Sequence, residues 1–299
     1  MSYTPIDLSS LPAPTIVESL DYAAILQEMV DDLKARDPAF TAIVESDPAF
    51  KILEVCAYRE MLIRQRVNDA ARGVMLAYAT GSDLDQLGAI FGTSRKILVP
   101  AAPTAIPPRL AVMETDTDFR YRVTLALEGL STAGPEGSYL YHALKVAGVK
   151  HATIVGPPTV SPGNVLVTVL GLTGNGAPSA TVISNVTQAL NAESVRPLTD
   201  AVTVQGASIQ NYTLNATIFT FPGPDSSVVM AEAQASAQAF ATQNHKVGND
   251  INLSAIFAAL HVDGVQKVNL ATPTANIVCD HTQAPFCTAI NLTYGGLSQ

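Results

Sequence analysis

Apolar positions in the first third of the chain recur at helical spacing. Between residues 18 and 36, Tyr22, Leu26, Met29 and Leu33 advance by four, three and four residues, which places them on one face of a helix. Acidic side chains fill its early turns and Lys34 and Arg36 its last, as the helix dipole favours, and Asp37-Pro38 ends it. The tetrapeptide DPAF occurs at 37–40 and again at 47–50, where Asp47 can cap, and Pro48 can open, a second helix. Only Gly73 interrupts the pattern from there to Ala79, so the spacing predicts a helix of roughly 30 residues and about 45 Å. On its wheel Ile52, Cys56, Ile63, Val67, Ala70 and Val74 cluster, with Val55, Leu62 and Leu76 beside them and Arg59 and Arg66 inside the arc. Two readings fit: a helix packed on partner chains with guanidinium groups paired across the contact, or a long intradomain helix with snorkelling arginines. Composition alone favours the second. The stretch GSDLDQLGAIFG then predicts a short capped helix.

Beyond Lys96 the pattern changes. Residues 97–114 carry Pro100, Pro103, Pro107 and Pro108, a density that forbids a helix and predicts an extended linker. After the linker, LYHALKVAGVKHATIVGP at 140–157 aligns without gaps to IFAALHVDGVQKVNLATP at 256–273, with six identical positions that include Gly148/Gly264 and Pro157/Pro273. Each copy reads as a helix ended by glycine, then a strand, then a proline stop. Each follows another helical stretch, 116–130 or 226–243, and leads to a further strand, 165–170 or 289–293. The predicted class is therefore α+β: an N-terminal helical bundle-forming region at 1–96, a proline-rich linker at 97–114, and two similar α+β units at 115–206 and 207–299.

Charge sharpens the division: 29 of the first 122 residues are charged, against 14 of the last 177. A net charge of −9 and the lack of a basic surface argue against nucleic-acid binding. No uncharged apolar run reaches the ~18–20 residues that cross a bilayer, and the N-terminal stretch lacks a basic leader and an apolar core, so synthesis and folding in a cytosol are expected. Cys56, Cys279 and Cys287 cannot build a disulfide framework. Cys279, His281 and Cys287 lie close in sequence, but their spacing suits incidental loop thiols better than a zinc site.

Chemistry is hard to find. A strand, a loop with Gly171, Gly174 and Gly176, and a helix recreate the context of a phosphate loop, yet no Lys-Ser/Thr pair or dinucleotide fingerprint accompanies them. No nucleophile elbow exists. His142, His151, His245, His261 and His281 form no metal or general-base pair, and Asp31-Asp32 and Asp83/Asp85 read as a solvated helix face and a helix N-terminus. Two hypotheses remain: an enzyme whose site is assembled from scattered residues, or an assembly subunit whose function lies in its interfaces. Long charged helices, a proline linker and a repeated unit favour the second. Self-association or co-purification with partners separates the two.

Specific stretches then carry a resemblance. DFRYRVTLALEGLSTAGPEGSYLYHALKVAGV, SPGNVLVTVLG and VRPLTDAVTVQGA, in that order, resemble the baseplate J-like family, the baseplate wedge proteins of contractile-tailed phages and related phage-tail-like particles. RDPAFTAIVESDPAFKILEVCAYREMLIRQRVNDAARGVMLAYATGSDLDQLG resembles the N-terminal region of the same family, and TQAPFCTAI its C-terminal end. The resemblance implies a structural protein with no catalytic residue, no cofactor, no metal and no small-molecule substrate. It implies wedges in which two copies of this subunit and one protein I-like partner join through N-terminal helices, with a W-like subunit docking on the bundle. C-terminal domains would meet neighbouring wedges to close a ring around the hub, and a triggering change would pass to the sheath. The implied location is the virion tail baseplate, with assembly in the host cytoplasm. On the matching helices, Leu26, Met29, Leu33, Leu53, Arg59, Leu62, Ile63, Arg66 and Val67 become candidate interface positions, and the packed-on-partners reading of the long helix moves ahead.

The stretch AGPEGSY at 133–139 then reads as a helix joint. Gly134 would end the helix begun near Asp116 in a left-handed conformation, and Pro135 and Glu136 would start the next. Tyr139, Leu140, Ala143 and Leu144 would face a core.

Overall fold

The computed structural model describes residues 8, 11, 14–37, 39–40, 44–130, 135–193, 195–223 and 225–298. The chain divides into two compact units. One contains the described residues up to Arg95 together with Glu114–Thr124; the other contains Lys96–Met113 and the chain from Leu125 onward. The segment 115–206 is thus shared between them, its first residues packing with the helices.

In the helical unit, α1 (Tyr22–Arg36) is capped by Asp21, whose carboxylate accepts from the Ala23 amide at 2.8 Å. The second helix, α2 (Pro48–Gly73), starts where the sequence predicts, with Asp47 accepting from the Ala49 amide and Pro48 in the first turn. It is 26 residues long, about 39 Å, and stops at Gly73, short of the predicted Ala79. Glycine is the poorest non-proline helix former, and after it the Met75 amide bonds to the Arg72 carbonyl and the Ala79 amide to the Met75 carbonyl, which bends the chain. Ala79, Leu84 of α3 (Gly81–Ile90) and Phe119 and Val123 of α4 (Asp116–Leu125) then form one buried cluster.

Arginines lock that cluster. Arg122 makes a two-pronged ion pair with Glu114 (2.7 and 2.6 Å) and donates to the Ser94 carbonyl at 2.6 Å. The two side chains belong to residues only 7% and 6% exposed. Arg95 bonds to Asp85 (2.8 Å), pairs with Asp116 (2.7 Å) and donates to the Glu114 carbonyl (2.7 Å). Both guanidinium groups lie near the Phe119 ring, at 4.8 and 5.6 Å from its centroid. Arg120 donates to the carbonyls of Leu76 and Ala79, satisfying the backbone left open after α2.

The predicted extended linker is an antiparallel arm. Its strands β1 (Ile97–Val99) and β2 (Val112–Met113) pair, and an isolated bridge joins Ala102 to Arg109. Lys96 anchors it by donating to the carbonyls of Leu144 and Val146.

In the larger unit, α5 (Glu136–Lys145) buries Tyr139, Leu140, Ala143 and Leu144 as the sequence predicts. Gly134 lies outside the described residues. The helical stretch predicted over 116–130 ends as α4 at Leu125, with a 3-10 turn at Glu128–Leu130. Strands β3 (Val149–Val155), β4 (Asn164–Gly171) and β5 (Ala201–Gly206) form one sheet in that order, antiparallel then parallel, with α6 (Ala180–Leu190) between β4 and β5. A second sheet centres on β6 (Ser208–Thr220), flanked by β7 (Val265–Thr272), antiparallel, and β8 (Gln283–Leu297), parallel. Alternation along β6 buries Tyr212, Leu214, Ala216 and Ile218. The helices α7 (Ser226–Asn244) and α8 (Leu253–Leu260) complete that core; the alanines at 233, 237 and 241 of α7 are buried at four-residue spacing.

The internal repeat holds at the level of helix, glycine and strand: Gly148 and Gly264, at φ 86° and 91°, occupy the left-handed region between helix and strand in both copies. Pairing departs from it. The strands after the first glycine, β3 and β4, are partners, whereas β7 and β8 are separated by β6. The preceding strand β6 occupies the centre of the second sheet, so the same element order gives two topologies.

The two α+β halves share a seam. Leu170, Ala207, Val247 and Ala284 form one buried cluster across it, and Thr153 donates to the His281 carbonyl at 2.8 Å. Lys150 Nζ lies 3.0 Å from His245 Nδ1, and His151 Nδ1 accepts from the Val247 amide at 3.3 Å.

Candidate functional site

The long helix α2 has three faces. The inner one packs on α1: Ala57 and Asn68 are buried, opposite an α1 arc that buries Ile25 and Val30. Asn68 is fixed twice to the backbone of Glu18, accepting from its amide (3.0 Å) and donating to its carbonyl (2.9 Å). Arg64 bonds to Glu60 at 2.5 Å and lies 3.7 Å from Glu18; these carboxylates, Glu60 foremost, raise its pKa further above the ordinary arginine value. A second, polar flank carries Lys51–Glu54 and Arg72–Asp69 pairs at 3.0 and 3.8 Å.

The third face is apolar and exposed. Ile52, Val55, Leu62, Ile63, Val67 and Val74 keep between 44% and 71% of their surface accessible. Cys56, Arg59, Arg66 and Ala70 are exposed among them. At about 100° per residue these positions fill an arc of roughly 140°, wider than a solvated helix needs to be apolar. At its C-terminal end the arc runs into an open hollow of about 390 Å³ lined by Ala70, Gly73, Val74, Asp83, Gln86, Leu87 and Ile90.

The nine candidate positions therefore separate. Arg59, Leu62, Ile63, Arg66 and Val67 lie on the exposed arc. Leu26, Met29, Leu33 and Leu53 are half-buried, the first three on the same arc of α1 as Ile25 and Val30. Asn68 and Arg64, which tie the inner face together, escaped the sequence reading; the signal was a lone amide on the wheel position of Ala57.

The glycine loop after β4 is a joint. Gly176 has φ 90°, and a Cβ there would lie 2.7 Å from His245 Nε2 and 2.6 Å from Leu170 Cδ1. Ser179, one residue after Pro178, caps α6. Replacing Gly176 by alanine is expected to cost about 1–3 kcal/mol through strain and overpacking of the seam; an unchanged thermal midpoint would speak against this packing. Desolvation, then the Lys150 ammonium, holds His245 down at a pKa of about 4. Desolvation and the neighbouring Lys246, Lys150 and His245 do the same to His151, also to about 4. Burial lowers His142 as well. Cys279 is a free, buried thiol whose pKa is pushed up by burial, and Cys287 is free and half-buried. Among the described residues, no three His, Cys, Asp or Glu side chains are grouped to hold a metal, and no helix is long and apolar enough to cross a membrane.

Comparison with known proteins places this architecture. The Baseplate J-like N-terminal domain matches residues 45–102, the Baseplate J-like central domain residues 131–206, and the Baseplate J-like protein C-terminal domain residues 212–293. Baseplate protein J of Escherichia phage P2 is 48% identical over 299 residues, covering 97% of this chain and 98% of that protein. A solved structure, that of the anti-feeding prophage (AFP) baseplate, aligns with 62% of this chain and 44% of its own, at 17% identity and a TM-score of 0.39. Three consecutive domain matches and near-full-length identity of this order leave one conclusion: the chain belongs to the baseplate J-like family and is a structural protein of a phage-tail baseplate.

Proposed function

We propose that this chain is a wedge subunit of a contractile-tail baseplate that joins its partners through the exposed arc of α2. The single observation that carries the reading is that arc. Six large apolar side chains stand in solvent along one face of a helix whose opposite face is already packed, and an apolar patch of that extent marks an interaction surface. In the proposed wedge, a second copy of the subunit, a protein I-like partner and a docked W-like subunit meet at the helical unit. The larger unit meets neighbouring wedges around the hub, and rearrangement of the wedge is what triggers the sheath. Its work in this reading is mechanical and needs no catalysis. The same part would serve an infectious phage, a tailocin or another contractile injection system.

The test is a double substitution, Leu62→Asp with Val67→Asp. Both side chains are exposed, so the isolated chain should keep its circular-dichroism spectrum and thermal midpoint. Co-expressed with the I-like and W-like subunits, it should fail to pull them down. Normal recovery of the complex would remove α2 from the assembly face.

A further inference from the structure

Two arginines sit in the middle of the exposed arc. Arg59 and Arg66 are seven residues apart, about 10.5 Å along the axis and within about 20° of each other around it. Leu62 and Ile63 lie between them, Ile52 and Val55 before, and Val67, Ala70 and Val74 after. Among the described residues neither arginine makes a hydrogen bond or an ion pair. Every other basic residue of α2 does: Lys51 with Glu54, Arg64 with Glu60, and Arg72 with Asp69. The arc itself contains no carboxylate, because all the acids of the helix lie on its other two faces.

Docking removes water from these guanidinium groups, and a charge taken out of water without a counter-charge opposes binding. The arc cannot supply that counter-charge to a copy of itself. Laid parallel, it sets Arg59 on Arg59 and Arg66 on Arg66 of the second copy. Laid antiparallel about the Leu62–Ile63 midpoint, it sets Arg59 on Arg66 twice. Either way four cations meet with no anion between them.

We infer that the occupant of the α2 arc is a helix of a different surface, carrying an apolar stripe interrupted by two carboxylates seven residues apart, and not the same arc of a second copy. The inference rests on the proposed assembly role of this face and names the chemistry of its partner. Guanidinium forks take carboxylates in a two-pronged geometry, so the two pairs would fix the axial register of helices that the apolar contacts alone leave free to slide. A second copy of the subunit would then join through another face of the helical unit.

The full-length chain alone provides the first test, by sedimentation velocity. Arg59→Glu makes the arc self-complementary when antiparallel, since the new carboxylate faces Arg66 of the second copy at both ends. This variant should self-associate at least about tenfold more tightly than the wild type, and R59E/R66E should fall back to the wild-type level. A wild-type dimer that Leu62→Asp with Val67→Asp dissociates, or an R59E variant indistinguishable from wild type, would overturn the inference. Co-expression with the I-like and W-like subunits separates it from the reading beneath it. R59E/R66E should lose the complex, whereas R59K/R66K should keep most of it. If the Leu62/Val67 double substitution destroys the complex and R59E/R66E does not, the acidic partner is wrong and the assembly face stands. If neither destroys it, both fall.

Discussion

Replacing Glu114 by glutamine is expected to lower the stability of the helical unit by about 3–5 kcal/mol, the largest effect of any single substitution considered. Glu114 and Arg122 are almost fully buried and share two short hydrogen bonds. Removing the carboxylate charge leaves a guanidinium in the interior facing the Phe119 ring and the Ser94 carbonyl, neither of which can neutralise it. The pair itself need not be stabilising, because two ions had to be taken out of water to form it. A double replacement, Glu114→Leu with Arg122→Met, should therefore recover most of the loss. Urea unfolding of the full chain, followed through its helical circular dichroism, measures both. A loss below about 1 kcal/mol for E114Q would mean that water reaches the pair and that the clamp is not closed.

Acid should act on the other unit. Both seam histidines, His245 and His151, titrate at about 4, below the ordinary value of about 6.5. Well above about pH 6.5 both rings are neutral in the folded and the unfolded chain alike, and their contribution is complete. As pH falls the unfolded chain takes up protons that the folded seam refuses. Stability then drops by about 1.4 kcal/mol per pH unit for each histidine until about pH 4, where the folded chain protonates too. For the nearly buried His245 the whole window is worth about 3 kcal/mol. The surroundings explain the direction. Lys150 donates to His245 Nδ1 and the Phe286 ring packs at 5.2 Å, so a second proton meets an ammonium group and an apolar wall. Unfolding in urea at a series of pH values between about 7 and 4 should show this slope, and His245→Gln should flatten it. A wild-type slope equal to that of the variant would remove His245 from the account.

These two features mark the limit of what can be read from the chain. Elements whose signals are local were legible: Asp47-Pro48 opening α2, Gly148 and Gly264 separating helix from strand in each copy of the repeat, and the buried face of α5. The exposed arc was legible as a pattern, since Arg59 and Arg66 interrupt an otherwise apolar face, but not as a surface. Wheel position says which residues share a side; it does not say whether α1 covers that side or the opposite one. Asn68 and Glu18 decided that, from 50 residues apart. The order of strands was illegible for a similar reason. With β6 at the centre of its sheet, β7 and β8 lie at its two edges, an arrangement set by the whole sheet and by no short stretch of sequence. The Gly171–Gly176 loop was legible as something other than a phosphate loop, but not as a seam joint, because a close approach of His245 and a close approach of phosphate ask for the same glycines.

The arm at Lys96–Met113 leaves the helical unit at Arg95 and returns to it at Glu114, and those two residues are bonded to each other through Arg95 and the Glu114 carbonyl. Arg122 ties both feet together, Glu114 through its carboxylate and the leaving strand through the Ser94 carbonyl. Its contour length is thereby uncoupled from the geometry of the helices: residues can be added or removed at its tip, around the fully exposed Ile106, without shifting α3 against α4. A chain built this way carries an adjustable reach on a fixed frame, and an epitope or fluorophore inserted there would report on the arm's surroundings while the frame kept its shape.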